Sequence, residues 1–183
     1  MKNFLTIVSL LFTNTIFADT INGSGNIKNQ SFNNLEVNGS LRFDNLKIAN
    51  KFAINGSGNG KNLTAQNAEI NGSLSVNGMT TNNITVEGSL NGENIEVKSN
   101  TVIFGGLFVK NSHFQNIEIT SDNISFTDST VNDIVIKDSI SKYQTLTLKN
   151  TQVNGNINFE SERGKIKMDD KSQVKGKITG LMN

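Results

Sequence analysis

The segments Val37-Asn38-Gly39-Ser40-Leu41 and Ile70-Asn71-Gly72-Ser73-Leu74 are two copies of a phrase that recurs along the chain. The phrase consists of an apolar residue, a polar residue, Gly, Ser and an apolar or small residue. Its clearest copies are 16, 17, 16 and 16 residues apart and begin at Ile21, Val37, Ile54, Ile70 and Val86. A fixed period of this kind is typical of repeat proteins, in which each unit stacks on the next.

Weaker copies continue towards the end of the sequence. They begin at Ile103, Ile119, Ile136, Val153 and Val174. Between the phrases, apolar residues alternate with polar ones, as in Leu41/Phe43 and Ile95/Val97. An alternation with period two indicates strands with one buried face. We therefore predict an all-β, single-domain parallel β-solenoid with three short strands per coil, about 16–17 residues per coil and roughly 9–10 coils.

The third position of the phrase is predicted to form a sharp corner. Such a corner needs positive φ, which Gly adopts freely and which Asp tolerates better than most residues. The predicted corner positions are Gly23, Gly39, Gly56, Gly72, Gly88, Gly105, Asp138, Gly155 and Gly176. The second position predicts a column of stacked amides that hydrogen-bond to one another. This Asn ladder comprises Asn22, Asn38, Asn55 and Asn71.

The first 18 residues have the features of a secretory signal peptide. Lys2 supplies a positive charge, residues 4–12 are mostly apolar, and Ala18 ends a sequence that resembles a cleavage site. The alternative is an uncleaved anchor, but the apolar stretch falls short of the about 20 residues that a spanning helix needs. We predict a bacterial protein that is exported to the periplasm or cell surface. Its mature part, 19–183, is predicted to be one solenoid domain with no transmembrane segment and with a charged corner loop near 160–173.

Composition limits the chemistry that this chain could perform. The sequence has no Cys, which excludes disulfides, thiolate metal sites and a lipoprotein anchor. It has 17 basic and 16 acidic residues, and removal of Lys2 with the signal would leave 16 of each. A formally neutral chain lacks the basic surface that nucleic acids require, so no nucleic-acid partner is predicted.

Candidate catalytic groups are few. His113 is the single His, so a multi-His metal site is excluded. Asp128, Asp133 and Asp138 are five residues apart, which would place them at successive corners, facing different directions. A paired-carboxylate site needs two groups at a defined separation. We therefore predict no catalytic, cofactor-binding or metal-binding residues, no cofactor, and no enzymatic activity.

The repeat resembles that of the bactofilins, the polymer-forming bacterial cytoskeletal proteins. The resemblance lies in the [IV]-x-G-x-[LI] phrase and the apolar-x-apolar pairs, most closely in residues 164–168 and 174–180. It implies a right-handed, three-sided β-helix that forms polymers. The chain departs from that family in its predicted export signal and in having no Pro. Pentapeptide-repeat proteins are a second candidate family, but they prefer 20 residues per coil.

Three functions follow from these observations. The first is a non-enzymatic, exported structural scaffold that self-associates through its coil ends into dimers or filaments, since open strand edges pair with other chains. The second is a surface adhesin or carbohydrate-binding rod with a cell-envelope polysaccharide as its partner, although Tyr143 is the single Tyr and there is no Trp. The third and least favoured is a polysaccharide-active enzyme.

Overall fold

The computed structural model describes residues 18–140 and 143–182, in which the regular secondary structure is β-strand. The predicted signal peptide lies outside the described residues, apart from Ala18. The pairings between strands are parallel, and the strands join into one continuous sheet that winds into stacked coils. The predicted all-β, parallel β-solenoid is therefore confirmed.

One strand accounts for more than half of the described chain. Strand β1 runs without interruption for 93 residues, because its extended backbone continues through the corners of several coils. The ten strands are β1 (Ala18–Lys110), β2 (His113–Thr120), β3 (Asn123–Thr127), β4 (Thr130–Ile136), β5 (Gln144–Lys149), β6 (Gln152–Val153), β7 (Ile157–Phe159), β8 (Gly164–Met168), β9 (Gln173–Val174) and β10 (Ile178–Thr179).

Three sides are distinct in the later coils. Side 1 holds β3, β5 and β8, side 2 holds β6 and β9, and side 3 holds β7 and β10. Strands β2 and β4 bend around the corner between sides 2 and 3, and β4 accordingly pairs with both β6 and β7. Strands β2 and β3 each pair with β1, so the later strands continue the stack that β1 begins.

The coils within β1 are marked by stacked glycines at the corner between sides 3 and 1, which we name corner A. These glycines are Gly23, Gly39, Gly56, Gly72, Gly88 and Gly105. Their φ angles lie between 101° and 142°, where an L side chain is strained. A Cβ on any of the last five would lie 1.9–2.1 Å from the carbonyl oxygen of the glycine one coil before. The six glycines therefore mark six stacked levels within β1.

The core is a set of apolar columns that run along the axis. On side 2, Val97 pairs with Phe114, Phe114 with Val131, and Val131 with Val153. All four side chains are completely buried. Burial of a side chain of this size stabilises the fold by roughly 1.5–3 kcal/mol. Each column therefore binds successive coils together along the whole stack.

Glycines that face the core do not leave holes. Coils with Gly58 and Gly60 carry little apolar volume of their own, yet a Cβ on Gly60 would lie 2.4 Å from the ring of Phe43, one coil before. A Cβ on Gly58 would lie 2.5 Å from the Cδ1 of Ile54 and 2.9 Å from that of Leu74. Large side chains of neighbouring positions thus occupy the space that these glycines leave free.

Two predicted corner positions, Gly155 and Gly176, do not lie at corner A. The amide of Gly155 donates to the carbonyl of Asn132, and the amide of Gly176 donates to that of Gly155. They belong to the corner between sides 2 and 3, which we name corner C. They occupy a different corner from Gly23 to Gly105, because Ile136 pairs with Phe159, so this coil is 23 residues long and a fixed period miscounts it.

The charged segment near 160–173 is not one corner loop. Strand β8 occupies Gly164–Met168 in its middle and pairs with β5. Residues 160–163 form a turn at corner A, and residues 169–172 form the next corner along the chain. Strand β8 was not predicted because its lysines make it resemble a charged loop. In the structure, Lys165 and Lys167 alternate with the other residues of the strand and face outward.

We predict that Gly72→Ala will lower the free energy of unfolding by about 3 kcal/mol. The new Cβ would lie 2.0 Å from the carbonyl oxygen of Gly56 and would force two coils apart. The control is Gly23→Ala, since a Cβ there meets nothing within 4 Å and adds only the strain of positive φ, about 1 kcal/mol. Urea unfolding followed by circular dichroism measures both, and equal losses would contradict the stacking argument.

Candidate functional site

The predicted Asn ladder is present at corner A. The Nδ2 of Asn38 donates to the Oδ1 of Asn22 at 3.1 Å, Asn55 donates to Asn38 at 2.7 Å, and Asn71 donates to Asn55 at 2.9 Å. An amide can donate on one side and accept on the other, so each member satisfies its neighbour. These side chains are exposed and carry no charge, which makes the ladder a structural element of the corner.

A second corner, between sides 1 and 2, is built from residues in the left-handed conformation. We name it corner B. Its members with positive φ are Asn29, Asn45, Asn62, Gly78, Asn94, Asn111, Asp128 and Asn150. Asn and Asp are the non-glycine residues that tolerate this region best. This corner was not predicted, although an Asn or Gly recurs every 16 or 17 residues from Asn29 to Asn111.

Buried hydroxyl groups support corner B from inside. The Oγ of Ser112 accepts a hydrogen bond from the amide of Ile95 at 3.1 Å and donates to the carbonyl of Lys110 at 2.7 Å. Ser129, Thr151 and Ser172 accept equivalent bonds from the coil before. Unsatisfied buried amides are costly, so these hydroxyls provide acceptors where the ladder of backbone bonds is interrupted.

A polar cluster stabilises the 23-residue coil, which runs from Ile136 to Phe159, at corner A. Gln144 is fully buried, and its Nε2 donates to the carbonyls of Ser121 at 3.1 Å and Lys137 at 2.6 Å. Its Oε1 accepts a bond from Ser161 at 2.6 Å. The ammonium of Lys137 lies 2.9 Å from Glu160, and the hydrogen bond between them raises the pKa of this lysine. The cluster fixes the enlarged corner to the regular coils.

Asp138 lies in this enlarged corner, where its carboxylate accepts a hydrogen bond from the guanidinium of Arg163. It is not among the residues with positive φ, so it does not substitute for a corner glycine. Asp128 lies at corner B and Asp133 at corner C, beneath Gly155. The three carboxylates therefore occupy three different corners and do not converge.

His113 lies half-buried at the start of β2. It shares a shallow groove of about 510 Å³ with Glu96 and Asp128. Nevertheless, residues 18–140 and 143–182 contain no group of three His, Cys, Asp or Glu side chains that could hold a metal ion. His113 therefore lines this groove without the further ligands that a metal ion would need among the described residues.

The C-terminal end of the stack has a different surface. Strand β8 pairs with β5, β9 with β6, and β10 with β7. Within the described chain, the opposite edges of β8, β9 and β10 make one further pairing, the bridge between Gly164 and Leu181. Apolar side chains at this end are half-buried or exposed. They are Ile166, Met168, Val174, Ile178, Leu181 and Met182. Residues 164–182 also contain five Lys and two Asp.

Comparisons with protein-family models, with curated proteins and with solved structures find no match. The geometry alone therefore defines the class of protein, a parallel β-solenoid with polar ladders at its corners. Among the described residues, no helix has the length and apolar character to cross a membrane.

We predict that Asn55→Ala will destabilise the fold by about 1 kcal/mol, since the substitution removes one donated and one accepted hydrogen bond. Asn22→Ala removes a single accepted bond at the start of the same ladder and is expected to cost about half as much. Thermal unfolding followed by circular dichroism measures both. Equal effects would indicate that the ladder does not link coils.

Acid is expected to weaken the corner at 169–172. The hydrogen bond from Ser172 at 2.6 Å, together with the amide of Asn150, lowers the pKa of Asp169. A lowered pKa in the folded state stabilises the protein above the ordinary value near 3.8, and this stabilisation is lost as pH falls through the lowered pKa.

We therefore predict that Asp169→Asn will make the melting temperature fall less steeply between about pH 5 and pH 2. The control is Asp170→Asn, which alters the neighbouring carboxylate of the same corner. Scanning calorimetry across this range measures the slope. A slope that is unchanged in Asp169→Asn, or that changes equally in both variants, would contradict the role given to Asp169.

Proposed function

We propose that this protein is a non-enzymatic, exported structural β-solenoid that self-associates through its coil ends, as its resemblance to bactofilins implies. The observation that carries the proposal is the C-terminal end of the stack. Three strands there present their outer edges, and no further coil of the described residues lies over Ile166, Val174 and Ile178, which continue the core columns. Unpaired edges and exposed apolar columns are the features through which strands join other chains.

The pattern of the last coil supports this proposal. Val174 pairs with Val153 at the end of the side 2 column, and Ile178 pairs with Ile157 at the end of a side 3 column. The coil therefore keeps the inward apolar pattern of an interior coil. A coil that served as a cap would be expected to replace this pattern with polar residues, as the terminal repeats of solenoids do.

Export to the periplasm or cell surface is the second part of the proposal. It depends on the charged start, the apolar stretch and the small residue at the end of 1–18. The absence of Cys fits either side of a bacterial membrane and does not decide between them. Mass spectrometry of the protein purified from the cell envelope tests this part, with Asp19 as the expected first residue.

A second candidate function is a carbohydrate-binding rod or adhesin. Phe104 and Phe108 support it, because both expose about half of their surface on the flank of the rod. Aromatic side chains that remain exposed on a soluble protein often mark a binding surface. An enzymatic role has no such support, since the carboxylates Asp128, Asp133 and Asp138 lie at different corners.

The self-association is tested with Val174→Lys, which places a charge in the half-buried end of the side 2 column. We expect the wild-type protein to form end-joined rods as its concentration rises. We expect the variant to associate at least tenfold more weakly, which corresponds to about 1.4 kcal/mol. Light scattering after size-exclusion chromatography and negative-stain electron microscopy measure the two.

The matched control is Val135→Lys, which makes the same change at a half-buried position of β4 between two fully buried residues, Ile134 and Ile136. Circular dichroism verifies that both variants fold. A wild-type protein that stays monomeric at every concentration would refute self-association. Association that persists in Val174→Lys, or that is lost equally in Val135→Lys, would refute the C-terminal end as the contact.

A further inference from the structure

An exposed aromatic pair lies on the flank of the rod, away from its ends. Outside the C-terminal end, three large apolar side chains of the described chain are exposed: Phe104 by 51%, Phe108 by 45% and Ile140 completely. Phe104 and Phe108 flank Gly105 and Gly106 at corner A. Phe108 and Ile140 line the same groove, and contiguous exposed apolar surface is typical of interaction sites.

The serine column of the repeat is interrupted at this point. Serine follows the corner glycine in five coils, at Ser24, Ser40, Ser57, Ser73 and Ser89. In the next coil the equivalent residue is Gly106, and a Cβ on it would lie 3.0 Å from the Cε2 of Phe108. The missing side chain therefore leaves room for the edge of the Phe108 ring. Glycine and phenylalanine together replace the polar surface that the other coils present.

The interruption opens a shallow groove of about 380 Å³. Its floor contains Gly105 and Gly106, and Phe108 and Ile140 contribute apolar surface to it. Thr120, Asp122 and Asn123 add a hydroxyl, a carboxylate and an amide to its lining. A concave site of this size with a few polar groups around apolar surface has the composition of a ligand site.

The part of the groove that carries Ile140 is anchored to the body of the rod. The Oγ of the adjacent Ser139 donates to the Oδ1 of Asp122 at 2.8 Å. The carbonyl of Ser139 accepts a bond from the guanidinium of Arg163 at 3.0 Å, and the same guanidinium binds Asp138. The groove is thus formed before any ligand arrives, which reduces the entropy cost of binding.

The groups that line the groove select the chemistry of its ligand. Among residues 18–140 and 143–182, the lining includes the carboxylate of Asp122 and no Lys or Arg, so these residues disfavour an anionic ligand. A pyranose ring has an apolar C–H face that can stack on an aromatic ring, and hydroxyl edges that can bond to hydroxyl, amide and carboxylate groups. We propose that this groove binds a neutral glycan, with one sugar ring stacked on Phe108 and its hydroxyls facing Thr120, Asp122 and Asn123.

The proposal rests on the second candidate function and gives it a site and a ligand class. A protein partner is the competing occupant, since Phe108 and Ile140 could also contact an apolar side chain. The polar lining favours the glycan, because an apolar partner would bury the carboxylate of Asp122 and the hydroxyl and amide of Thr120 and Asn123, whereas sugar hydroxyls can bond to all three. Self-association through the coil ends uses other residues, so the two contacts can be tested separately.

The test uses saturation-transfer difference NMR and calorimetric titration of the full chain. The probes are maltohexaose, cellohexaose and chitohexaose, with a heparin-derived hexasaccharide as the acidic comparison. We expect at least one neutral hexasaccharide to bind and the acidic one to bind more weakly. Phe108→Ala should weaken the binding at least tenfold. Gly106→Ser, which restores the residue of the other coils, should displace the ring and weaken it similarly.

The matched control is Met168→Ala, which removes a comparably exposed apolar side chain, 48%, at the C-terminal end. It should leave glycan binding unchanged. Glycan binding that persists in Phe108→Ala would overturn the groove but leave a carbohydrate function in place. No binding of any of the four probes would overturn both the groove and the carbohydrate function. A preference for the acidic probe would overturn the neutral glycan as the ligand. Loss of self-association in Phe108→Ala, without glycan binding, would identify the patch as a protein contact.

Discussion

The close stacking of one backbone coil on the next is the constraint on which this structure depends. At corner A it leaves no room for a side chain, since a Cβ on Gly88 would lie 2.0 Å from the carbonyl oxygen of Gly72. It also places paired strand residues directly over one another in successive coils, as with Ile134 and Ile157. Each position must therefore be compatible with a near copy of itself at the strand spacing of about 4.8 Å.

This self-contact explains the unusual composition. Like charges stacked at that spacing would repel one another, whereas amides and hydroxyls can each donate a hydrogen bond to one neighbour and accept one from the other. Asn45 thus bonds to Asn29 at 2.8 Å, and Ser57 bonds to Ser40 at 3.1 Å. Charges occur where their neighbours differ in sign, as with Lys137, which lies between Glu118 and Glu160. A neutral, Asn-rich surface is what a stack of this kind requires.

The same regularity decides what the sequence could predict. Period, alternation and the corner A glycines were readable because each is repeated in nearly every coil. Asn29 and its successors at corner B recur with the same period but were not recognised, because residue type alone does not distinguish an Asn in the left-handed conformation from an outward-facing Asn in a strand. Gly155 lies at corner C, outside the column of corner A glycines, because the coil from Ile136 to Phe159 is longer than the repeat. The burial of Gln144 could not be predicted, because Ser121 and Lys137, whose carbonyls accept its hydrogen bonds, lie 23 and 7 residues from it and not one repeat away.

The two proposed contacts differ in how they relate to the repeat. The C-terminal end is an ordinary coil, and Val174 and Ile178 are apolar for the same reason as Val153 and Ile157 beneath them. Within the described residues, no coil covers it at this end. The groove is the reverse case, because Gly106 and Phe108 depart from the pattern that five preceding coils share at Ser24, Ser40, Ser57, Ser73 and Ser89. In the two proposals, the regular end joins copies of the solenoid, and the irregular flank recognises a ligand.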